Sequence, residues 1–408
     1  MSPGGAAPAI PIVLLASAAW DTPAPVNVHQ IARRMAARGH PVLFVESMGL
    51  RSPALLASGH DRRRVWRRLR GWLRGARPVA ENLWVVSPLA LPAGWPAPLR
   101  ALSERWLARS LARCAARLGL RRPVVWAFLP TALPVARRLA GRRLVYHCVD
   151  RYAANPGVDA DRIARAEAEM LDAADRVLAA SPELAASLRR RRPDAICLPN
   201  VADVALFGRA LHEALPEPPA LAGVPRPRAL YVGNLAAYRV DFPLLAALAR
   251  DLPDVHQVLV GAVGLGDVGG PPPAWGELTA LPNVHAFGAR PQEELPAWLR
   301  HADVALIPFL DNEHTRGSLP LKLWEYLAAG LPVVASDLPN LAELARAGLL
   351  RTARGAPAFA EAVRAALVEP AARRAERHER ARAHDWPARI DELERLLADE
   401  PDGAGGVR

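Results

Sequence analysis

One short segment near the end of the chain combines residue types that bind anions and hydroxyl groups. Ser318 and Leu319 lie in a loop of small residues that leads into a predicted helix. Lys322 is in the first turn of this helix, and Glu325 lies about one turn further along the same face. The N–H groups and dipole of a first helical turn bind anions, and a carboxylate accepts hydrogen bonds from sugar hydroxyls. The segment therefore predicts a site for a ligand that carries both phosphate and hydroxyl groups.

Lysine is so rare in this chain that its position is informative. Lys322 is the one lysine among 52 basic residues. A compact ammonium group where the chain otherwise uses arginine indicates a chemical requirement at this position. The alternative is an ordinary Lys–Glu pair on the surface of a helix.

A second candidate phosphate contact follows an earlier apolar run. Gly233 comes directly after the run at 229–232, and Arg239 lies six positions further on. Glycine allows the backbone to approach a ligand, and arginine can hold a phosphate through two parallel donors. Because arginine is abundant here, a solvated arginine after a strand is the alternative.

Two polar residues mark the end of an apolar run in the first half of the chain. His147 and Asp150 lie at the end of the run 144–149, from which both side chains could reach a cleft. The alternative for Asp150 is that its carboxylate caps the segment that follows.

The elements that must position these residues follow from the hydrophobic pattern. Short apolar runs alternate with amphipathic segments, which predicts an α/β fold of two Rossmann-like, doubly wound parallel-sheet domains facing across a cleft. We expect an N-terminal domain at 1–207, a proline-rich linker at 208–227 and a C-terminal domain at 228–370. Residues 371–408 are expected to form a helix that braces the N-terminal domain, followed by a flexible tail. Ligands bind at the carboxyl ends of the strands in such sheets, where the candidate residues lie.

The segment that contains Lys322 resembles the nucleotide-sugar signature of GT-B glycosyltransferases, specifically the large retaining group related to bacterial capsule and exopolysaccharide enzymes. The turn at Gly233 with Arg239 is similar to the glycine turn that opens the donor domain in that family. The resemblance is specific in the second domain and diffuse before residue 120. The residues that match the signature are Pro320, Lys322, Glu325, Tyr326, Ala328, Gly330, Pro332, Val333 and Val334.

The resemblance implies a role for each candidate residue. It places the donor diphosphate on the start of the Lys322 helix and on Arg239, the ribose on Glu325 and the base beside the backbone at 289–290. The residues expected to bind the donor are Gly233, Arg239, Ala289, Arg290, Ser318, Leu319, Lys322 and Glu325. The residues expected to act in catalysis are His147, Asp150, Arg239, Glu313 and Lys322.

The chain departs from the family pattern at one position beside the transferred sugar. The usual acidic residue, eight positions before the ribose-binding glutamate, is Gly317 here. Glu313 lies four residues earlier and is expected to take its place on a differently shaped loop. This departure leaves the sugar contacts open.

The formal net charge of +11 has its densest source in residues 61–77, which contain eight arginines and one acidic residue. Their apolar residues recur at helical spacing, which predicts a basic amphipathic helix that contacts an anionic membrane. The alternative is a helix packed on the sheet with an arginine-rich solvent face.

Nucleic acid is not expected as a partner, because no base-stacking module accompanies the charge. The three cysteines lack metal-binding spacing, and no metal site is predicted.

These features lead to one functional hypothesis and two alternatives. The resemblance implies a metal-independent, retaining hexosyltransferase that uses a nucleotide-diphosphate sugar as its donor and no other cofactor. Its acceptor would be a glycan or a lipid-linked glycan, and its role the biosynthesis of cell-surface polysaccharide in the cytoplasm, on the inner face of the membrane. The alternatives are a catalytically silent scaffold of the same fold at the membrane and a nucleotide-sugar epimerase.

Overall fold

Short apolar segments form two separate β-sheets in the computed structural model of the chain. The structure describes residues 9–22, 25–47, 75–89, 95–139, 141–155, 157–264, 267 and 271–398. The central strands of both sheets are buried on their two faces, which is why their sequences are nearly continuous apolar runs instead of alternating patterns.

The first sheet occupies the N-terminal half of the chain. Its strands are β1 (Ile12–Leu15), β2 (Val42–Val45), β3 (Arg77–Ala80), β4 (Leu83–Val86), β5 (Val124–Ala127), β6 (Arg143–Cys148), β7 (Arg176–Ala179) and β8 (Ile196–Cys197). They lie in the order β3-β4-β2-β1-β5-β6-β7-β8, and β3 runs antiparallel to β4 at one edge. The associated helices are α1 (Asn27–Ala37), α2 (Ala97–Arg117), α3 (Leu133–Leu139), α4 (Ala160–Ala173) and α5 (Pro182–Arg189).

The second sheet is parallel throughout its described strands. These are β9 (Arg228–Val232), β10 (His256–Val260), β11 (Val284–Phe287), β12 (Val304–Ile307), β13 (Val333–Ser336) and β14 (Arg351–Ala353), in the order β11-β10-β9-β12-β13-β14. The remaining helices are α6 (Val204–His212), α7 (Phe242–Asp251), α8 (Pro273–Thr279), α9 (Leu295–Arg300), α10 (Glu313–Arg316), α11 (Leu321–Ala328), α12 (Ala342–Arg346), α13 (Ala356–Leu367), α14 (Arg373–Arg382) and α15 (Trp386–Ala398). The strand order reverses between β9 and β12, which creates a ligand-binding crevice at the carboxyl ends of these strands.

The division between the two domains differs from the one predicted at residue 207. Helix α6 crosses that boundary, and its residues Phe207 and Ala210 are buried in the core of the second domain. The predicted linker at 208–227 therefore begins inside a helix that packs on the second domain. The difference arises because the linker was predicted from its prolines, and no cluster of prolines precedes α6 to show that the second domain begins there.

The end of the chain divides between the two domains. Helix α14 packs on the second domain through Ala381, whereas α15 returns to the first domain, where Trp386 and Leu393 are buried. Arg143 on β6 anchors α15 by donating a hydrogen bond to the carbonyl of Leu396 at 2.8 Å. The expected tail after residue 398 lies outside the described residues.

Most of the predicted basic helix at 61–77 also lies outside the described residues. At its end the structure differs from the expectation, because Arg77 begins strand β3 and does not continue a helix. In the described ranges, no helix is both long and apolar enough to cross a membrane.

Candidate functional site

Lys322 lies in the first turn of α11, beside the turn that follows β9. Its Nζ donates a hydrogen bond to Oη of Tyr231 at 3.0 Å. The same nitrogen lies 4.2 Å from the centre of the Tyr231 ring and 4.8 Å from the centre of the Phe309 ring. Only 9% of the residue is exposed. A phenol and two aromatic faces thus hold the ammonium group in a position where its charge can attract an anion.

Burial changes the protonation of both candidate residues on α11. Burial, and to a smaller extent the nearby Arg239 guanidinium, lowers the pKa of Lys322 to about 7, although the Glu325 carboxyl acts in the opposite direction. Burial also raises the pKa of Glu325 to about 7, against the effect of the Lys322 ammonium group. An anion bound beside Lys322 would stabilise the charged amine and raise its pKa again.

Two glycines lie side by side directly after the ends of the neighbouring strands β9 and β10. Gly233 follows β9 and Gly261 follows β10, and the paired register of Val232 with Val260 sets them side by side. Their φ angles are +143° and +156°, which glycine adopts most readily. A Cβ on Gly233 would lie 2.7 Å from Nζ of Lys322, and a Cβ on Gly261 would lie 1.8 Å from the carbonyl oxygen of Gly233. Both positions therefore need glycine to leave the space beside the ammonium group open.

Arg239 links the second domain to the first through a histidine. Its Nη2 lies 2.7 Å from Nε2 of His314 on α10. Because a guanidinium only donates, Nε2 of His314 accepts this hydrogen bond, and Nδ1 carries the proton of the neutral ring. This Nδ1 lies 3.4 Å from Oδ1 of Asp150. Burial lowers the pKa of His314, with the Asp150 carboxylate opposing and the Arg239 charge reinforcing this change. Asp150 also accepts a hydrogen bond from the amide of Arg151 at 2.9 Å, so it both caps the local turn and faces the second domain.

The loop that departs from the family pattern carries a second link between the domains. Glu313 begins α10 and its Oε1 accepts a hydrogen bond from Nη1 of Arg151 at 3.2 Å, with 68% of the Glu313 side chain exposed. A Cβ on Gly317 would lie 3.3 Å from Nε of the same arginine. Ser181 of the first domain donates a hydrogen bond to the Gly317 carbonyl at 2.8 Å. Arg151 thus occupies the space beside Gly317, and the expected sugar contact of Glu313 stays a prediction.

Asparagines on both domains fix the loop that enters α11. Asn340 donates to the carbonyl of Ser318 at 2.7 Å, and Asn200 donates across the domains to the carbonyl of Leu319 at 3.1 Å. The amide of Ser318 donates a long hydrogen bond of 3.3 Å to the carbonyl of Thr315. A phosphate would have to replace this weak bond at Ser318, and the role of both amides stays a prediction.

The residues expected to face the base lie in the loop after β11. Ala289 is exposed, and the guanidinium carbon of Arg290 lies 5.4 Å from the ring centre of Trp298. The loop is at the same sheet edge as Gly261, whose amide donates to the carbonyl of Phe287 at 3.0 Å. The contact of these residues with the base stays a prediction.

His147 is not in the cleft. The residue is 1% exposed, and its ring stacks on Trp126 and packs at a tilt against Phe128, with centroid distances of 6.0 and 5.0 Å. Burial, with a smaller effect of the Arg389 charge, lowers the pKa of His147 to about 3. The imidazole is a neutral core side chain, and the structure removes it from the predicted catalytic set. Alternate residues of β6 face opposite sides of the sheet, and His147 points to the side that α1 and α15 cover.

Sequence reasoning missed several residues that shape the site. Tyr231 and Phe309 enclose the ammonium group, His314 bridges Arg239 and Asp150, and Asn200 holds the loop before α11. Tyr231 had an available signal, since it lies two positions before Gly233 on a strand that ends in the crevice, and Asn200 had another, since the loop 198–203 resembles a Pro-Asn-Gly-Val-Asp loop of the family. Within the described ranges, no three His, Cys, Asp or Glu side chains gather as a metal ion would require.

Comparison with known proteins matches this geometry to a family. Residues 226–369 match the family model of the group 1 glycosyl transferases. A segment of 117 residues is 31% identical to TuaH of Bacillus subtilis (strain 168), a predicted teichuronic acid biosynthesis glycosyltransferase, and the match covers 28% of each chain. The match thus spans little more than a quarter of that curated relative.

Solved structures share the fold over nearly the whole chain. A sucrose-phosphate synthase from Thermosynechococcus elongatus has a TM-score of 0.68 and 19% identity over 95% of this chain and 98% of its own. Anabaena HepE in complex with UDP and glucose has a TM-score of 0.67 and 16% identity over 96% of this chain and 100% of its own.

The chain therefore has the two-domain GT-B fold, and its residues 226–369 are similar to the group 1 glycosyl transferases. The family resemblance predicted from the sequence is confirmed. The retaining mechanism and the capsule role are not tested by these likenesses.

Proposed function

We propose that this protein is a glycosyltransferase that moves a hexose from a nucleotide-diphosphate sugar to a glycan or lipid-linked acceptor. The observation that carries the proposal is the buried ammonium group of Lys322, which lies beside Gly233 at the start of α11. The guanidinium carbon of Arg239 lies 5.7 Å from the centre of the Phe309 ring, and Nζ of Lys322 lies 4.8 Å from the same centre. Two adjacent cationic groups at the reversal point of a parallel sheet suit a diphosphate.

In the mechanism we propose, these cationic groups stabilise the departing nucleoside diphosphate. As the bond between the sugar and the phosphate oxygen breaks, negative charge develops on that oxygen, and Lys322 and Arg239 offset it. The first domain positions the acceptor hydroxyl. In the retaining, metal-independent route, the departing phosphate accepts the proton of this hydroxyl, so no separate base is needed. The alternative, inverting route would need a base, for which Asp150 is the candidate.

The cellular role we propose is the synthesis of cell-surface polysaccharide at the inner face of the membrane. The similarity to TuaH supports this role over the matched segment. The basic residues 61–77, mostly outside the described ranges, supply the proposed membrane contact. Because the Anabaena structure contains UDP and glucose, a uridine nucleotide sugar is the first donor to test.

A catalytically silent scaffold is the second candidate, and one observation favours it. Gly317 replaces the usual acidic residue, and the side chain of Arg151 fills the space beside it. An inactive scaffold has no need, however, to keep a cation buried at a cost in stability.

Calorimetric titration of the wild-type protein with UDP, GDP and ADP tests the proposal. We expect one nucleotide to bind with a dissociation constant in the micromolar range, which corresponds to about 8 kcal/mol. Binding of one nucleotide would also identify the base. If none of the three binds, the donor site does not exist and the scaffold is the better description.

Replacing Arg239 with alanine is expected to weaken nucleoside diphosphate binding about 20-fold, because a charge-assisted hydrogen bond contributes about 1.5–3 kcal/mol. Arg250→Ala removes an exposed arginine from α7 and is the matched control, with unchanged affinity. Calorimetry measures both variants. Equal affinities of the two variants would remove Arg239 from the site.

The affinity for a nucleotide sugar is expected to fall as the pH rises from about 7 to about 9. Lys322 binds the diphosphate as a cation, but its pKa of about 7 leaves it mostly neutral above that pH in the free protein. Each further pH unit then weakens the binding free energy by up to about 1.4 kcal/mol, which is a tenfold loss of affinity. Glu325 loses its proton over the same range and reduces this slope.

Calorimetry at pH 8 in buffers of different ionisation enthalpy should show an uptake approaching one proton per ligand. Glu325→Gln should retain the uptake. Binding without proton uptake at pH 8 would contradict the buried, neutral amine.

A further inference from the structure

Helix α2 carries an apolar stripe on the side that faces solvent. Trp95 lies two residues before the helix begins, and Leu99, Leu102 and Trp106, which are separated by three and four residues, lie along one face of it. Their exposed fractions are 40%, 43%, 61% and 38%. The packing of the domain uses a different face of α2, through the buried residues Leu107, Ala108, Leu111 and Ala115. The exposed stripe is therefore a second apolar face of the kind that marks an interaction surface.

Arginines extend the same side of α2 towards its C-terminal end. Arg105, Arg109 and Arg113 are exposed, and none of them forms an ion pair with a carboxylate in the described part of the chain. The helix contains five arginines and one acidic residue, Glu104. One side of the helix thus presents apolar groups first and positive charge after them.

The position of α2 in the fold orients this surface. Strand β4 ends at Val86, at the carboxyl edge of the first sheet, and α2 then returns to the opposite edge, where β5 begins at Val124. The apolar stripe occupies the N-terminal half of α2 and therefore lies towards the edge that carries Asp150. The arginines lie further from that edge.

We propose that this face of α2 is a membrane-contact surface for an anionic lipid bilayer. Trp95, Leu99 and Leu102 enter the boundary between headgroups and acyl chains, and the arginines of the same side contact lipid phosphates. Leucine and tryptophan next to arginine, with a single acid, are complementary to a negatively charged interface with an apolar interior. A bilayer bound here lies near the carboxyl edge of the first domain, where an acceptor presented by lipid would reach the cleft.

Sedimentation with lipid vesicles tests this surface without any nucleotide sugar, so its outcome does not depend on the proposed function. We expect the wild-type protein to bind vesicles of phosphatidylglycerol and phosphatidylcholine, and to bind pure phosphatidylcholine vesicles at least tenfold more weakly. Leu99→Ser/Leu102→Ser should weaken binding to the mixed vesicles at least tenfold. Arg105→Ala/Arg109→Ala should weaken it about 25-fold at low salt, about fivefold for each arginine, and less at high salt.

Exposed residues of the second domain supply the matched controls. Val368→Ser alters a side chain that is 82% exposed, and Arg250→Ala/Arg346→Ala removes two exposed arginines, so both proteins should bind as the wild type does. Unchanged thermal unfolding of every variant would show that the surface, and not the fold, is altered.

Two results would overturn the proposal. One is wild-type protein that does not bind anionic vesicles, and the other is a Leu99→Ser/Leu102→Ser protein that binds them as the wild type does. If the wild-type protein does not bind vesicles but forms a dimer, and the double variant is monomeric, the stripe is a protein interface and the membrane assignment is wrong.

Discussion

Replacing Lys322 with methionine is expected to weaken nucleoside diphosphate binding about 100-fold, or about 2.7 kcal/mol. Methionine keeps the length and apolar stem of the side chain, which packs against Tyr231 and Phe309, and removes only the ammonium group. The loss of affinity therefore reports the charge and its hydrogen bonds to phosphate.

The same variant is expected to be more stable than the wild type at pH 6, by roughly 1–3 kcal/mol. With pKa values of about 7, both Lys322 and Glu325 carry their protons at pH 6, so the wild type buries one cation that no anion neutralises. The pKa of this amine is lower in the folded than in the unfolded protein, so the penalty is greatest below pH 7 and disappears near pH 10.5. Thermal unfolding measures the gain, and calorimetry measures the affinity.

A gain in stability together with a loss of binding would separate a functional cation from a structural one. The outcome that contradicts the account is a Lys322→Met protein that binds nucleotide as the wild type does. A large loss of stability at pH 6 would show instead that the ammonium group supports the fold.

Replacing Gly261 with alanine is expected to lower the free energy of unfolding by roughly 3–5 kcal/mol. The added Cβ would lie 1.8 Å from the carbonyl oxygen of Gly233, and the φ of +156° strains any other residue. Since the Gly233 carbonyl belongs to the backbone and a Cβ has a fixed position, neither group can rotate away as a flexible side chain could. The Gly233 turn would have to move away, and it forms one wall of the Lys322 site.

Gly276→Ala is the matched control, because a Cβ there meets nothing within 4 Å inside helix α8. This substitution should stabilise the protein by about 0.5–1 kcal/mol, through the better helix propensity of alanine. Urea unfolding gives both values, and nucleotide titration at low temperature shows whether the folded fraction of Gly261→Ala still binds. Equal stabilities of the two variants would mean that the turns after β9 and β10 are not in contact.

Much of the fold is predictable because buried parallel strands are visible in the sequence as apolar runs. The apolar run at 229–232 lies within β9, the run at 144–149 lies mostly within β6, and Lys322 lies in the first turn of α11. These elements depend on local sequence, so local reasoning finds them. The predicted domain boundary at residue 207 was wrong because α6 has an ordinary helical composition. Only tertiary packing decides which of the two domains this helix joins.

The parts of the site that sequence reasoning missed depend on distant contacts. His147 and Asp150 lie at the same end of an apolar run, but His147 is buried because α15, more than 200 residues later in the chain, covers the face of the sheet on which it lies. The pairing of His314 with Arg239 and Asp150 requires two domains to meet. Gly261 is important only because the register of β9 and β10 places it against Gly233.

The central claim is sugar transfer from a nucleotide at the Lys322 site. Its most direct test is to incubate the wild-type and Lys322→Met proteins with a UDP-hexose and a lipid-linked glycan fraction, and to measure the release of UDP. The account predicts UDP release that requires the acceptor, a product heavier by one hexose and a large loss of both in Lys322→Met. UDP release or sugar epimerisation without acceptor, or equal turnover by the two proteins, would contradict it.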